Sequence, residues 1–287
     1  MRPPQIPPEF RTWTMSDGYA VRGRVWPPRA PGGTVGFLYL HGIQSHGGWY
    51  EWSASLLAAS GHLVLLPDRR GSGLNDAARG DTPAARRWLD DLDDLAAWAA
   101  HEFGVRRFGV VGVSWGGKVA VAWTLRRAER VERLLLIAPG LFPAVDIGFG
   151  TKLRVAMCVL ARRSTRFEVP LNDPALFTDN PAGRQFIACD PLKLESVTAR
   201  FLYRSRQLDR PLQRDPRGAL QPPLTLFLAE RDRIIRNDAT QAWARRVAGP
   251  TAPIAMFPGA AHTLEFEPDP LLFAERLRHW VAEFRAT

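Results

Sequence analysis

The sequence predicts an α/β protein, a mostly parallel β-sheet covered by helices on both faces. Two observations carry that expectation. Short apolar runs rich in Val, Leu and Phe, each of strand length and closed by Gly, Pro or Asp, recur along the chain. Segments with helical periodicity lie between most of them, and strands that alternate with helices join in parallel and are buried on both sides.

In chain order the apolar runs fall at 19–26, 35–40, 63–67, 108–113, 134–138, 224–229 and 253–257. The helical patterns fall at 49–60, 86–102, 115–127, 239–247 and 271–284. In the second of these Leu92, Leu95, Ala96 and Ala99 share one face. Asp90, Asp91, Asp93 and Asp94 crowd its N-terminal half, where negative charge suits the helix dipole.

The rhythm breaks between 141 and 221, where no clear strand is seen and short helical pieces are separated by Asn-Asp-Pro, Asp-Asn-Pro and Arg-Asp-Pro turns. This reads as a helical cap inserted between 1–140 and 222–287, which together make the core. The cap holds thirteen Lys and Arg, Arg214 and Arg217 among them, against eight acids that include Asp215, a net +5 of the chain's +9. No internal repeat is visible.

Composition bounds the function. At 287 residues with 46% hydrophobic and 23% charged, the chain can bury a large core, which excludes disorder, collagen and coiled coil. Both signs of charge are interspersed, so nucleic acid is not an expected partner. Residues 1–15 carry four prolines and no apolar run, unlike a signal peptide, and no stretch approaches the roughly 20 apolar residues of a membrane span. A cytoplasmic protein is expected. Cys158 and Cys189 are too few for a disulfide framework or a cysteine metal site.

The strongest chemical signal is Gly112-Val113-Ser114-Trp115-Gly116, which follows an apolar run directly and precedes a helical pattern. That is the strand, sharp turn and helix context of a nucleophile elbow. Gly112 and Gly116 leave room where strand and helix converge, and Ser114 Oγ would project at the helix N-terminus, where free N–H groups favour an oxyanion.

A serine needs a base held in one tautomer by a carboxylate. Among six histidines, His101 ends a helical pattern, His279 lies within one and His62 opens a strand. His262 instead follows the last apolar run in the loop Pro258-Gly259-Ala260-Ala261, at the sheet edge where open α/β sheets bind ligands. For the acid, Glu230-Arg231-Asp232 follows the run 224–229. Asp232 is the best placed; Glu230 is close to the strand, Asp238 suits a helix start, and Asp146, after the preceding strand, is the more serious substitute.

The loop after 35–40 reads His41-Gly42-Ile43-Gln44-Ser45-His46. Gly42 permits a close turn, so the N–H of Ile43 can join that of Trp115 in facing a substrate carbonyl oxygen. His41 is expected to brace this loop. The stretch from Asp68 to Gly73 is expected to be a structural turn.

Together His41-Gly42, His46, the turn after Asp68, the Ser114 elbow, Asp232 and His262 resemble the α/β-hydrolase superfamily, whose triad order is Ser, Asp, His. The closest resemblance is to its monoglyceride lipase and lysophospholipase branch, grouped with serine aminopeptidase-like hydrolases. That resemblance implies an eight-stranded core, a lid, a Ser114-His262-Asp232 triad and no metal or organic cofactor. Where the branch carries His and Met beside the serine, this chain has Val113 and Trp115, and the indole is expected to narrow the acyl pocket.

The expected activity is hydrolysis of a carboxylic ester with an apolar portion. Thioesterase, C–C hydrolase, peptidase and acyltransferase chemistry share the same triad. The segment 151–167, with Leu153, Val155, Ala156, Met157, Val159 and Leu160 among Lys152, Arg154, Arg162, Arg163 and Arg166, is expected to be a cap helix with its apolar side over the active site and its arginines in water; the alternative is that it lies on anionic lipid, either in an active lipase or in a non-catalytic binding protein. A monomer is the default expectation.

Overall fold

The computed structural model describes residues 2–30, 32–213 and 220–284. Its strands are β1 (Glu9–Thr14), β2 (Ala20–Trp26), β3 (Val35–Leu40), β4 (Leu63–Pro67), β5 (Arg107–Val113), β6 (Val131–Ile137), β7 (Arg166–Glu168), β8 (Ser196–Thr198), β9 (Leu224–Ala229) and β10 (Ile254–Phe257). Its α-helices are α1 (Glu51–Ala58), α2 (Ala85–Phe103), α3 (Gly116–Arg126), α4 (Phe149–Leu160), α5 (Pro181–Cys189), α6 (Ala199–Gln213), α7 (Asn237–Ala248) and α8 (Leu271–Ala282).

Eight strands form one sheet in the order β1-β2-β4-β3-β5-β6-β9-β10. The pairings β1–β2 and β2–β4 are antiparallel and the others are parallel. The centre is buried on both faces, as shown by Phe37, Leu65, Val110 and Leu135, all fully buried. Each such side chain contributes about 1.5–3 kcal/mol of burial free energy.

Seven of these strands coincide with the apolar runs. The eighth, β1, has no apolar run because only Trp13 of Glu-Phe-Arg-Thr-Trp-Thr is buried. A polar strand at a sheet edge discourages pairing with other chains. The α2 face expected from periodicity is buried as Leu92, Leu95, Ala96 and Ala99. Its acids do more than meet a helix dipole: Asp91 is buried against Arg70 at 2.7 Å and Arg87 at 3.0 Å, and Asp93 accepts from Trp123 and Arg127.

The inserted region between β6 and β9 is mainly helical, with α4, α5 and α6. It also contains a two-stranded antiparallel ribbon, β7–β8, whose three-residue strands are too short to register as apolar runs. Arg214, Asp215 and Arg217 of its charge count lie outside the described residues. The region is fastened to the core by polar contacts: Arg200 with Asp81, and Asp190 with both His46 and Trp49. Among the described residues no helix is long and apolar enough to cross a membrane.

Candidate active site

Strand β5 ends at Val113 and α3 begins at Gly116, so the chain must reverse within Ser114 and Trp115. Ser114 accordingly takes φ +51°, a left-handed conformation rare for a residue with a side chain. It is held there by its N–H to Ile137 O at 3.0 Å, and by its carbonyl, which accepts from Gly117 at 2.9 Å and Gly140 at 2.7 Å. The flanking glycines are required by close approach. A Cβ on Gly112 would lie 2.7 Å from Ala120 Cβ, and one on Gly116 would fall on the carbonyl oxygens of Leu40 and His41.

Asp232 and His262 come to this serine from the loops after β9 and β10. His262 Nε2 lies 2.9 Å from Ser114 Oγ, and its Nδ1 lies 2.8 Å from Asp232 Oδ2. A carboxylate only accepts, so Nδ1 carries the proton and Nε2 is free to accept from the serine hydroxyl. The other Asp232 oxygen accepts from the N–H groups of Ile234 at 2.8 Å and Ile235 at 3.0 Å. Both side chains are buried, and the edge of Phe177 packs on the imidazole at 5.9 Å. The other candidate acids stand elsewhere: Glu230 accepts from Gly259 N–H, Asp146 pairs with Lys152 and Asp238 lies in the first turn of α7.

The loop after β3 lies against the elbow, where a Cβ on Gly42 would sit 3.3 Å from Ser114 Cβ. His41 links this loop to the start of the next one, with Nδ1–H donating to Gly42 O at 2.8 Å and Nε2 accepting from Arg69 N–H at 2.8 Å. Burial, reinforced by the Arg69 charge, holds the His41 pKa well below the usual value and keeps the ring neutral. His46 accepts from Gly48 N–H at Nδ1 and reaches Asp190 Oδ2 of the cap at 3.1 Å with Nε2.

Arg69, assigned from sequence only to a structural turn, is part of this site. Its guanidinium donates to Gly42 O at 2.8 Å and Ile43 O at 2.9 Å, and lies 4.6 Å over the Trp115 ring. Burial pushes its pKa down to about 9, so it stays cationic at neutral pH. In a trans peptide the N–H points opposite the C=O, so fixing Gly42 O on Arg69 and His41 turns the Ile43 N–H the other way. Among the described residues neither the Ile43 N–H nor the Trp115 N–H has a protein acceptor.

Ser114, Ile43 and Trp115 border a cavity of about 390 Å³ roofed by the inserted region, with Val155 of α4, Leu171 and Leu202 of α6 among its walls. This is within the usual range for small-molecule sites. Trp115 borders it, but most of its ring is packed: stacked on Phe201 at 5.6 Å, edge-on to Trp88 at 4.9 Å, with Nε1–H donating to Ser205 Oγ at 2.7 Å. The indole therefore joins elbow to cap as well as walling the pocket.

A serine, an imidazole and a carboxylate linked in series, beside two free N–H groups, can carry out acyl transfer. Comparison with known proteins agrees. A monoacylglycerol lipase of Mycolicibacterium smegmatis is 26% identical over 262 residues, covering 90% of this chain and 91% of that protein. The protein YnbC of Escherichia coli is 23% identical over 278 residues, and there the chain spans only 47% of the relative's length. The fold is that of a soluble variant of Saccharomyces cerevisiae monoglyceride lipase solved with a substrate analogue, with TM-score 0.83 and 17% identity across the whole of both chains. The family model described as serine aminopeptidase, S33, matches residues 34–269. The chain belongs to that family and is a serine hydrolase of the α/β-hydrolase superfamily.

Proposed function

We propose that the protein hydrolyses carboxylic esters with an apolar acyl portion through an acyl-enzyme. The observation that carries this reading is the unbroken series Asp232, His262, Ser114, at 2.8 and 2.9 Å. Ser114 Oγ attacks the ester carbonyl carbon while His262 Nε2 takes its proton. The resulting oxyanion is held by the N–H groups of Ile43 and Trp115. Collapse breaks the ester C–O bond, and His262 passes the proton to the leaving alkoxide. Water then attacks the acyl-enzyme, giving one proton to His262, which returns it to Ser114 as the acid departs. Asp232 keeps the ring in the required tautomer and stabilises the imidazolium.

The segment 141–221 acts as the lid over this site. Monoacylglycerols are the first substrates to try, given the Mycolicibacterium relative. A specific feature favours access from a lipid surface: α4 exposes Phe149, Leu153, Met157 and Leu160 on one side, between Lys152 and Arg154. Such a stripe suits an anionic bilayer surface.

The test is intact-mass analysis after a fluorophosphonate probe, beside p-nitrophenyl esters from acetate to palmitate. One adduct, absent from Ser114→Ala, with turnover lowered roughly 10⁶-fold in that variant, is the expected result. A Ser114→Ala protein that retains turnover rules the mechanism out.

A further inference from the structure

A buried ion pair stands in the cavity wall beyond the reacting serine. Lys118 lies in the first turn of α3, four residues after Ser114 in sequence. Its Nζ lies 2.7 Å from Asp209 Oδ1 of α6, with both side chains no more than 10% exposed. Removing two charges from water is costly, and apolar residues in their place often stabilise a protein, so folding alone does not explain the pair.

Polar groups of this cluster keep spare hydrogen-bonding capacity. Apart from the Lys118 ammonium at 2.7 Å, no group among the described residues approaches Asp209 Oδ1 as a donor. The other oxygen accepts from Arg206 at 3.1 Å. Beside it, Ser205 Oγ accepts from Trp115 Nε1, and its own hydroxyl proton has no acceptor among the described residues. Lys118, Asp209 and Ser205 all border the cavity that Ser114 borders, among apolar walls such as Val145, Ile147 and Ile234.

The cavity takes one particular half of an ester. A leaving alcohol receives its proton from His262 Nε2 and so lies on the His262 side. His262 does not border the cavity, whereas Ser114, Ile43 and Trp115 do. The acyl portion therefore occupies it. A carboxylate on that chain would face Asp209, and an ammonium would face Lys118. A neutral hydroxyl can accept from the Lys118 ammonium and donate to Asp209 Oδ1 at the same time.

We propose that Lys118, Asp209 and Ser205 form a polar subsite that selects acyl chains bearing a hydroxyl group part-way along their length. This rests on the roles given above to Ser114 and His262. The experiment compares p-nitrophenyl octanoate with its 6- and 7-hydroxy analogues. At one position the hydroxylated chain is expected to be favoured about tenfold or more in kcat/KM, mostly through KM. In Lys118→Met combined with Asp209→Leu, which leaves no lone buried charge, that ratio falls to about one. The isosteric Asp209→Asn is the second variant, with the same direction expected.

Equal or better turnover of plain octanoate at every position, or a ratio unchanged in both variants, overturns the proposal. Preference for a chain ending in carboxylate overturns it in favour of an anion site. Calorimetry on Ser114→Ala with methyl octanoate and its hydroxylated analogues reads the same preference without turnover. A binding preference with neither fluorophosphonate adduct nor hydrolysis upholds the subsite and defeats the hydrolase mechanism; adduct and hydrolysis with no preference does the reverse.

Discussion

The Arg69 guanidinium donates to Gly42 O at 2.8 Å, on the opposite side of the peptide unit from the Ile43 N–H. A buried cation thereby sets the direction of a backbone donor without facing the reacting atoms itself. Arg69→Met, close in length but unable to donate, leaves that peptide held at its oxygen by His41 alone. The expected result is a loss of about 10²-fold in kcat on a short p-nitrophenyl ester, in the range of a lost oxyanion donor. A matching slowdown in fluorophosphonate labelling, with KM little changed, distinguishes it from a lost substrate contact. Full activity in the variant would remove Arg69 from any positioning role.

Asp232→Asn tests the tautomer argument. The amide carbonyl can still accept from Ile234 and Ile235, but its NH₂ then faces Nδ1 and drives the ring proton to Nε2. The base is then blocked on the side of Ser114. Turnover should fall about 10⁴-fold at neutral pH with the melting temperature little altered, measured by ester hydrolysis and calorimetry together.

How legible these groups were differs with where their partners lie. Ser114, His262 and Asp232 each sit at a strand end within a local turn pattern, so sequence alone could single them out. Arg69 meets its partners 26 and 27 residues away, and Lys118 meets Asp209 across the cap boundary, so as sequence each is merely another basic residue. No local periodicity encodes such contacts. The same limit hid β1, whose register on β2 buries Trp13 while its other five residues stay exposed.

The exposed side of α4 gives a third prediction. Phe149 and Leu160 are each 84% exposed, so placing them in a lipid surface gains about 1.5–3 kcal/mol per fully buried side chain. Replacing Leu153 and Leu160 by Glu should lower the fraction sedimenting with phosphatidylglycerol vesicles by tenfold or more. Unchanged sedimentation would dismiss α4 as the lipid-facing element.

A fourth prediction concerns stability against pH. Glu265 lies in the turn Leu264–Phe266 just after His262, where Oε1 accepts from Ser53 N–H at 3.0 Å. It is almost fully buried, Oε2 has no partner among the described residues, and Ser53 also meets the Tyr39 hydroxyl. Burial pushes its carboxyl from 4.5 up to about 7. Between those values the folded protein holds a proton that the unfolded chain has released. Stability from this group is thus fully present below about pH 4.5 and is lost as pH rises through about 7. The total is about 3 kcal/mol at 1.36 kcal/mol per unit. Glu265→Gln keeps an acceptor for Ser53 and carries no charge, so it should flatten this slope and be the more stable protein at pH 8. Urea melts of both proteins from pH 5 to 8 measure it; parallel curves would mean that Glu265 titrates normally and that its burial is relieved by a partner.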